Sequence, residues 1–170
     1  NLGNYAQMNP PIRSLEHQEK LWEGIRNGTA DIIGSDHAPH SRDEKEVEYP
    51  DSPSGMPGVQ TLVPIMLNHV NNEKLTLQRF VELTSYNPSR LFKIRGKGQI
   101  AIGYDADFTV IDINKERVIT NDWIASKCGW TPYNNMKVKG WPVMTIIRDN
   151  IVMKDDIVFD PLGEPMSFVR

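Results

Sequence analysis

The sequence predicts an α/β unit over residues 1–95 followed by a β-rich unit over residues 96–170. Three observations carry that expectation. A helix with an apolar face runs into a short apolar stretch, Ala30 to Gly34, with the length and composition of a buried parallel strand. Two more apolar-periodic segments follow before residue 92. From Gly96 the character changes: Gly recurs at 96, 98 and 103, and alternation sets in at Phe108, Val110 and Ile111.

The opening NLGNYAQMNPPIRS reads as loop, because Gly, Asn and paired Pro interrupt any period. Ser14 is placed as the N-cap of a helix running to about Arg26, stopped by Asn27–Gly28, with Leu15, Leu21, Trp22 and Ile25 on its apolar face. Helix, turn and the Ala30–Gly34 strand together make half of a βα repeat. Ser35 to Gly58 is a long polar segment with prolines at 39, 50, 53 and 57. Segments of that kind tend to be functional lids or disordered. Apolar residues from Gln60 to Val70 predict a helix. Thr76 caps another, with Leu77, Phe80, Val81 and Leu83 inward, and Asn87–Pro88 restarts a short helix through Leu91, with Asn87 as N-cap and Pro88 at the first helical position. In the second unit, PVMTIIRDNIVMKDD predicts two strands about a hairpin turn at Asp149–Asn150.

The 170 residues are 39% hydrophobic and 24% charged, an ordinary globular balance. A net charge of -3, with no cluster of four Lys or Arg, gives no reason to expect nucleic acid or a membrane surface as partner. No apolar run reaches the roughly 18 residues of a membrane helix, and no signal-peptide pattern opens the chain. The single cysteine, Cys128, rules out an internal disulfide and a thiolate metal cage, which fits a reducing, cytoplasmic setting. The chain opens on Asn rather than Met, which leaves a processed terminus, a cloning boundary and a fragment all open.

The stretch GSDHAPH, Gly34 to His40, concentrates the chemistry. Asp36 stands two residues past Ile32–Ile33, at the rim where strands of α/β sheets and barrels present their sites. A carboxylate there can bind a divalent metal or shuttle a proton. His40, on a Pro-fixed turn, can donate to a substrate oxygen or carboxylate. Spacing alone leaves the choice open between a solvated turn and an active-site rim.

Gly34 to Lys45, G-S-D-H-A-P-H-x4-K, resembles the dihydroorotase signature of the cyclic amidohydrolases. Met8 to Arg13 resembles that family's NPPLR loop, with Asn9 lying 27 residues before Asp36. GYDADFTVID resembles its G-x-x-ADxxxxD segment, and MKVKGWPVMTIIRDNIV its closing strands. The resemblance implies the C-terminal part of a (β/α)8 metal-dependent hydrolase barrel, including the strand-8 Asp loop, over residues 1–95. A small β-sandwich portion would fill 96–170. It implies hydrolysis or closure of a cyclic amide, N-carbamoyl-aspartate to dihydroorotate in pyrimidine synthesis, with two Zn²⁺ in the complete site.

Asp36 then matches a metal ligand that is also general base and acid. It would take a proton from the metal-bridging hydroxide and pass it to the departing amide nitrogen. His40 matches the residue that hydrogen-bonds the substrate carboxylate, Asn9 a pyrimidine-ring contact, and the backbone near Gly55 a second one. Ser41 to Gly58 would form the loop over the site. The family's other ligands are a His-x-His pair, a carboxylated Lys and two further His, and no His-x-His occurs here. A whole barrel takes roughly 250 residues. The expectation is therefore the C-terminal part of a longer enzyme, partnered by its own N-terminal part and inactive alone; the resemblance also allows a homodimer.

Bland readings stand beside these. The family's use of the neighbouring Asp makes His37 structural. His17 falls on a solvated helix face, His69 near a helix end with no assigned role, and Cys128 reads as a packed small residue. Trp123, Trp130 and Trp141 suit packing, and the acidic run Asp43 to Asp51 a solvated loop. Arg13 is open between a substrate-anion partner and a loop anchor. Two other functions compete. A hydantoinase- or allantoinase-like enzyme is the first, against which His40 suits a carboxylated substrate. A non-catalytic homologue acting as scaffold is the second, against which Asp36 and His40 speak.

Overall fold

The computed structural model describes residues 2–160 and 162–169. After a 3-10 turn at Gly3–Ala6 come helices α1 (Leu15–Asn27), α2 (Arg42–Lys45), α3 (Leu62–Asn71), α4 (Leu77–Val81) and α5 (Asn87–Leu91). Strands β1 (Phe108–Val118), β2 (Lys137–Ile147), β3 (Asn150–Lys154) and β4 (Ile157–Val158) follow as one antiparallel sheet in the order β1-β2-β3-β4.

Helix α1 forms where the sequence places it. Ser14 is extended at φ -64 ψ 165, and Gly28 closes the helix at φ 88, a left-handed conformation that glycine takes without Cβ strain. The Ser14 hydroxyl turns to Nδ1 of His17 at 2.8 Å rather than to the backbone. Trp22 and Ile25 reach the core, but Leu15 and Leu21 are 77% and 68% exposed, contrary to expectation. The described residues provide no surface opposite that side of α1.

Residues 30–34 are not a strand here. A parallel strand needs neighbours of the same direction, and the described residues offer none beside it. Its polar backbone is satisfied from the helical layer instead. Ile33 N–H donates to the Leu83 carbonyl at 3.2 Å, while Arg79 Nη2 and Asn87 Nδ2 donate to the carbonyls of Ala30 (2.6 Å) and Asp31 (2.7 Å).

Helix α3 tolerates Pro64 because it sits in the first turn, where its missing N–H has no intrahelical partner to lose. Thr76 caps α4 as expected, its hydroxyl accepting from Arg79 N–H at 3.1 Å. Asn87 is not an N-cap: it is helical at φ -66 ψ -43. The run from α4 continues into α5 through a π-helical turn at Glu82–Tyr86. Pro88 has no N–H and its ring crowds the carbonyl one turn back, so a widened turn lets the helix pass it. Phe80 and Leu83 are buried as expected, whereas Leu77 and Val81 are exposed.

One core joins both halves of the chain. Met66, Leu67, Leu75, Phe80 and Leu83 pack with Ile33 on one side and with Ile111 and Ile113 of β1 on the other. Full burial of Leu67 and Leu83 contributes about 1.5–3 kcal/mol each. Helix α3 lies so close to β2 that a Cβ on Gly140 would stand 2.6 Å from Leu67 Cβ. Asn71 stitches the contact, its amide donating to the carbonyls of Ile113 and Lys139, both at 2.9 Å.

In the sheet, Asp112 Oδ1 accepts from the N–H groups of Asn114 (2.9 Å) and Lys115 (3.1 Å) and bulges β1. The two-residue turn between β2 and β3 is Arg148–Asp149, one residue earlier than expected, with φ 45 and 66. Asp155–Asp156 repeats it before β4 at φ 49 and 66. A second small core holds Ile119, Val138 and Trp141, with Trp123 on Trp141 at 4.6 Å between centroids. Cys128 is buried as a packed residue, its thiol 3.6 Å from the Trp130 carbonyl oxygen. No helix among the described residues is long and apolar enough to cross a membrane.

Candidate active site

Three segments converge beyond Gly34: residues 4–10, 36–47 and 52–58. Asp36 comes first, exposed and at φ 43, a left-handed conformation that Asp and Asn adopt more readily than other side chains. Immediately after it His37 pairs with Met56 in an isolated parallel bridge, and Ala38 N–H donates to the Met56 carbonyl at 2.9 Å. Glycine is required opposite. Gly55 has φ 140, and a Cβ there would lie 2.5 Å from Ala38 Cβ and 3.2 Å from His40 Cδ2.

His37 turns its ring to the backbone. Its Nδ1 accepts from Gly58 N–H at 3.0 Å, with Val59 N–H at 3.4 Å, which places the ring proton on Nε2. His40 is half-buried against Gly55, its Nδ1 3.7 Å from Glu44 Oε2. Glu44 is held by a capping box on α2: Ser41 N–H donates to Oε2 at 2.7 Å, and Ser41 Oγ accepts from Glu44 N–H. That backbone donor draws the Glu44 carboxyl below its usual range. The segment expected to be a lid is thus ordered around a short helix.

Asn9 is exposed two residues beyond Gln7, in a cis Asn9–Pro10 bond. The Gln7 carbonyl ties its loop to the others, accepting from Gly55 N–H at 3.0 Å and from Lys45 Nζ at 3.3 Å. Lys45 is fully buried, and its ammonium also donates to the Pro53 carbonyl at 2.6 Å. Burial pushes its pKa down. Tyr5 donates to Glu46 Oε1 at 2.6 Å, a bond to a carboxylate that pushes the phenol up, and Asn4 donates to the Val47 carbonyl at 2.7 Å. From the far end of the chain, Trp130 Nε1 donates to the His40 carbonyl at 2.8 Å.

The backbone therefore gathers His40, Gly55 and the Asn9 loop around one place, with Asp36 at its edge. Arg13 is exposed, and His17 lies on the solvated face of α1. His69 packs edge-on to Trp22 at 4.7 Å, and burial lowers its pKa. Sequence reasoning passed over the buried role of Lys45, counted there only as the last letter of a motif, and the reach of Trp130 to His40. As a metal centre the described residues are insufficient: no three His, Cys, Asp or Glu side chains come together to hold an ion. Asp36 is a single donor of suitable chemistry, and His37 Nδ1 is already committed.

The Amidohydrolase family pattern matches residues 13–152, and the chain belongs to that family. Within it, the chain is similar to proteins named dihydroorotase. It is 40% identical over 157 residues to that of Halobacterium salinarum, covering 92% of this chain and 37% of the relative. Against the Pyrococcus furiosus dihydroorotase it is 44% identical over 156 residues, covering 91% and 36%. Among solved structures, the L-hydantoinase (dihydropyrimidinase) from Arthrobacter aurescens matches with a TM-score of 0.88 at 32% identity, covering 94% of this chain and 36% of that one. The chain thus spans little more than a third of the length of these relatives, and over that part it shares their α/β architecture, with an antiparallel sheet.

Proposed function

We propose that this chain is the C-terminal part of a dihydroorotase, which opens and closes the cyclic amide between dihydroorotate and N-carbamoyl-aspartate. Residues 1–95 would complete a (β/α)8 barrel and 96–170 a small β-sandwich. The exposed Leu15 and Leu21 are then barrel-facing surface that the preceding part of the protein covers. The observation that carries the reading is the meeting of His40 with Gly55, tied through Gln7 to the Asn9 loop.

In this reading His40 donates a hydrogen bond to the substrate carboxylate. Asn9 and the backbone at Gly55 hold the ring. Asp36 takes a proton as water adds to the ring carbonyl and returns it to the departing amide nitrogen, so one carboxylate serves both halves of the step. The complete site is proposed to hold two Zn²⁺, with Asp36 as one ligand and the other donors outside this chain. The 170 residues alone are accordingly inactive, and dihydroorotate turnover by them with added Zn²⁺ would contradict this.

A hydantoinase-type reading is favoured by the likeness to L-hydantoinase. One experiment separates the two. In the complete enzyme, His40→Ala raises KM for dihydroorotate far more than for hydantoin, which has no carboxylate. Equal effects on both substrates would remove the dihydroorotase assignment of His40, and a wild-type preference for hydantoin would remove the reading itself.

A further inference from the structure

We propose that Trp130 is a positioning residue for His40, and that the connection between β1 and β2 is the rigid backing of the substrate loops. The inference rests on the reading of His40 as the substrate grip. The connection, residues 119–136, is stiff in its own right. Ile119 N–H donates to the Met136 carbonyl at 2.9 Å, and Asn135 N–H returns to the Ile119 carbonyl at 2.8 Å. Across its middle, Asn121 Oδ1 accepts from Thr131 N–H and Asn121 N–H donates to Asn134 Oδ1, both at 2.9 Å.

From this base the chain grips the site segments at separate points. Trp130, 3% exposed, donates its indole N–H to the His40 carbonyl at 2.8 Å across 90 positions of sequence. Next to it, the Gly129 carbonyl accepts from the Arg42 guanidinium at 2.5 Å. Farther back, the Gln60 side-chain amide is held at both ends, by the Trp123 carbonyl at 2.7 Å and by Ala125 N–H at 2.8 Å. The Trp130 ring also meets Tyr5 edge-on with centroids 4.8 Å apart, on the segment that leads to Asn9. One indole therefore touches the backbone of the residue that grips the substrate and the chain that carries the ring contact. A buried indole N–H needs an acceptor. Here the acceptor is the carbonyl that fixes where the His40 ring stands.

The test is Trp130→Phe in the complete enzyme, which keeps an aromatic ring but removes the donor together with part of the indole's buried volume, a loss that the control below shares. KM for dihydroorotate should rise about fivefold, as for loss of one buried hydrogen bond, with kcat within about twofold. KM for hydantoin should stay put. Amide hydrogen exchange over residues 38–46 should accelerate by a similar factor, while β1 to β3 stay protected. Trp123→Phe is the control, because its indole N–H bonds Asp156 and not the substrate loop. It should lower stability while leaving exchange at 38–46 and the substrate ratio alone. Equal KM shifts for both substrates, or loop exchange no faster than in the Trp123→Phe control, would overturn the proposal. If the wild-type enzyme does not act on dihydroorotate, the functional reading fails separately, and the exchange result still decides whether Trp130 holds the loop.

Discussion

Gly55→Ala places one methyl group between two segments that have no slack. Its Cβ would stand 2.5 Å from Ala38 Cβ, against the roughly 3.5–4.0 Å that carbon atoms prefer in contact. Neither side yields easily. Ala38 N–H is bonded to the Met56 carbonyl at 2.9 Å, and Gly55 N–H to the Gln7 carbonyl at 3.0 Å. Overpacking of this kind costs about 1–3 kcal/mol. The positive φ of 140 adds a backbone cost of about 1–2 kcal/mol. Gly28→Ala is the reference for a positive-φ glycine without crowding, since Gly28 has φ 88 and nothing lies within 4 Å of the place its Cβ would take. Urea unfolding of both variants, followed by the fluorescence of the four tryptophans, should show Gly55→Ala less stable than Gly28→Ala by about 1–3 kcal/mol. In the complete enzyme Gly55→Ala should also raise KM, because His40 Cδ2 is only 3.2 Å from the new methyl. Equal stabilities, together with an unchanged KM, would refute the close-approach argument.

Two predictions concern pH. Burial lowers the Lys45 pKa, so between its folded value and the ordinary lysine value of about 10.4 the unfolded chain binds the extra proton. Stability of the wild type should therefore rise relative to Lys45→Met as pH climbs through that interval, and a stability difference that stays flat with pH would refute the assignment. Asp156 titrates with the same sign, its folded carboxyl also lying below the ordinary value, but here the charged form is the one the fold favours. Burial works to raise its carboxyl, but hydrogen bonds from the Trp123 indole and the Arg117 guanidinium outweigh it and hold the pKa below the usual carboxylate range. Asp156→Asn should cost about 1.5–3 kcal/mol near neutral pH. That cost should shrink as pH falls below about 4 and the wild-type carboxyl takes up its proton; urea midpoints measured across the range check this, and an equal cost at both ends would contradict it.

Local signals were legible where the chain decides its own geometry. Gly28 ends α1 and Thr76 begins α4 because a left-handed residue and a side-chain acceptor act within one turn. The motif from Gly34 to Lys45 pointed to the place where His40 and Gly55 meet, although nothing in its spacing reveals Gly55 as the residue that must lack a side chain. What sequence could not supply were long-range partners. Ile32 and Ile33 carry the composition of a strand, but a strand exists only beside another, and here Leu83, Arg79 and Asn87 take up the backbone instead. Lys45 looks like surface by polarity and becomes buried only because the carbonyls of Gln7 and Pro53 close over it. Pro88 signals a helix start, and the widened turn at Glu82–Tyr86 overrides that signal. The Trp130–His40 bond spans 90 positions, a distance at which no periodicity informs.

Cys128 turns the backing of the site into something that can be timed. It is the one thiol in the chain, it is buried, and it lies two residues from the indole that holds His40. A thiol-reactive dye can label the native chain only when the connection between β1 and β2 opens enough to uncover it. The labelling rate is thus a clock for that motion, built into the protein without any engineered probe.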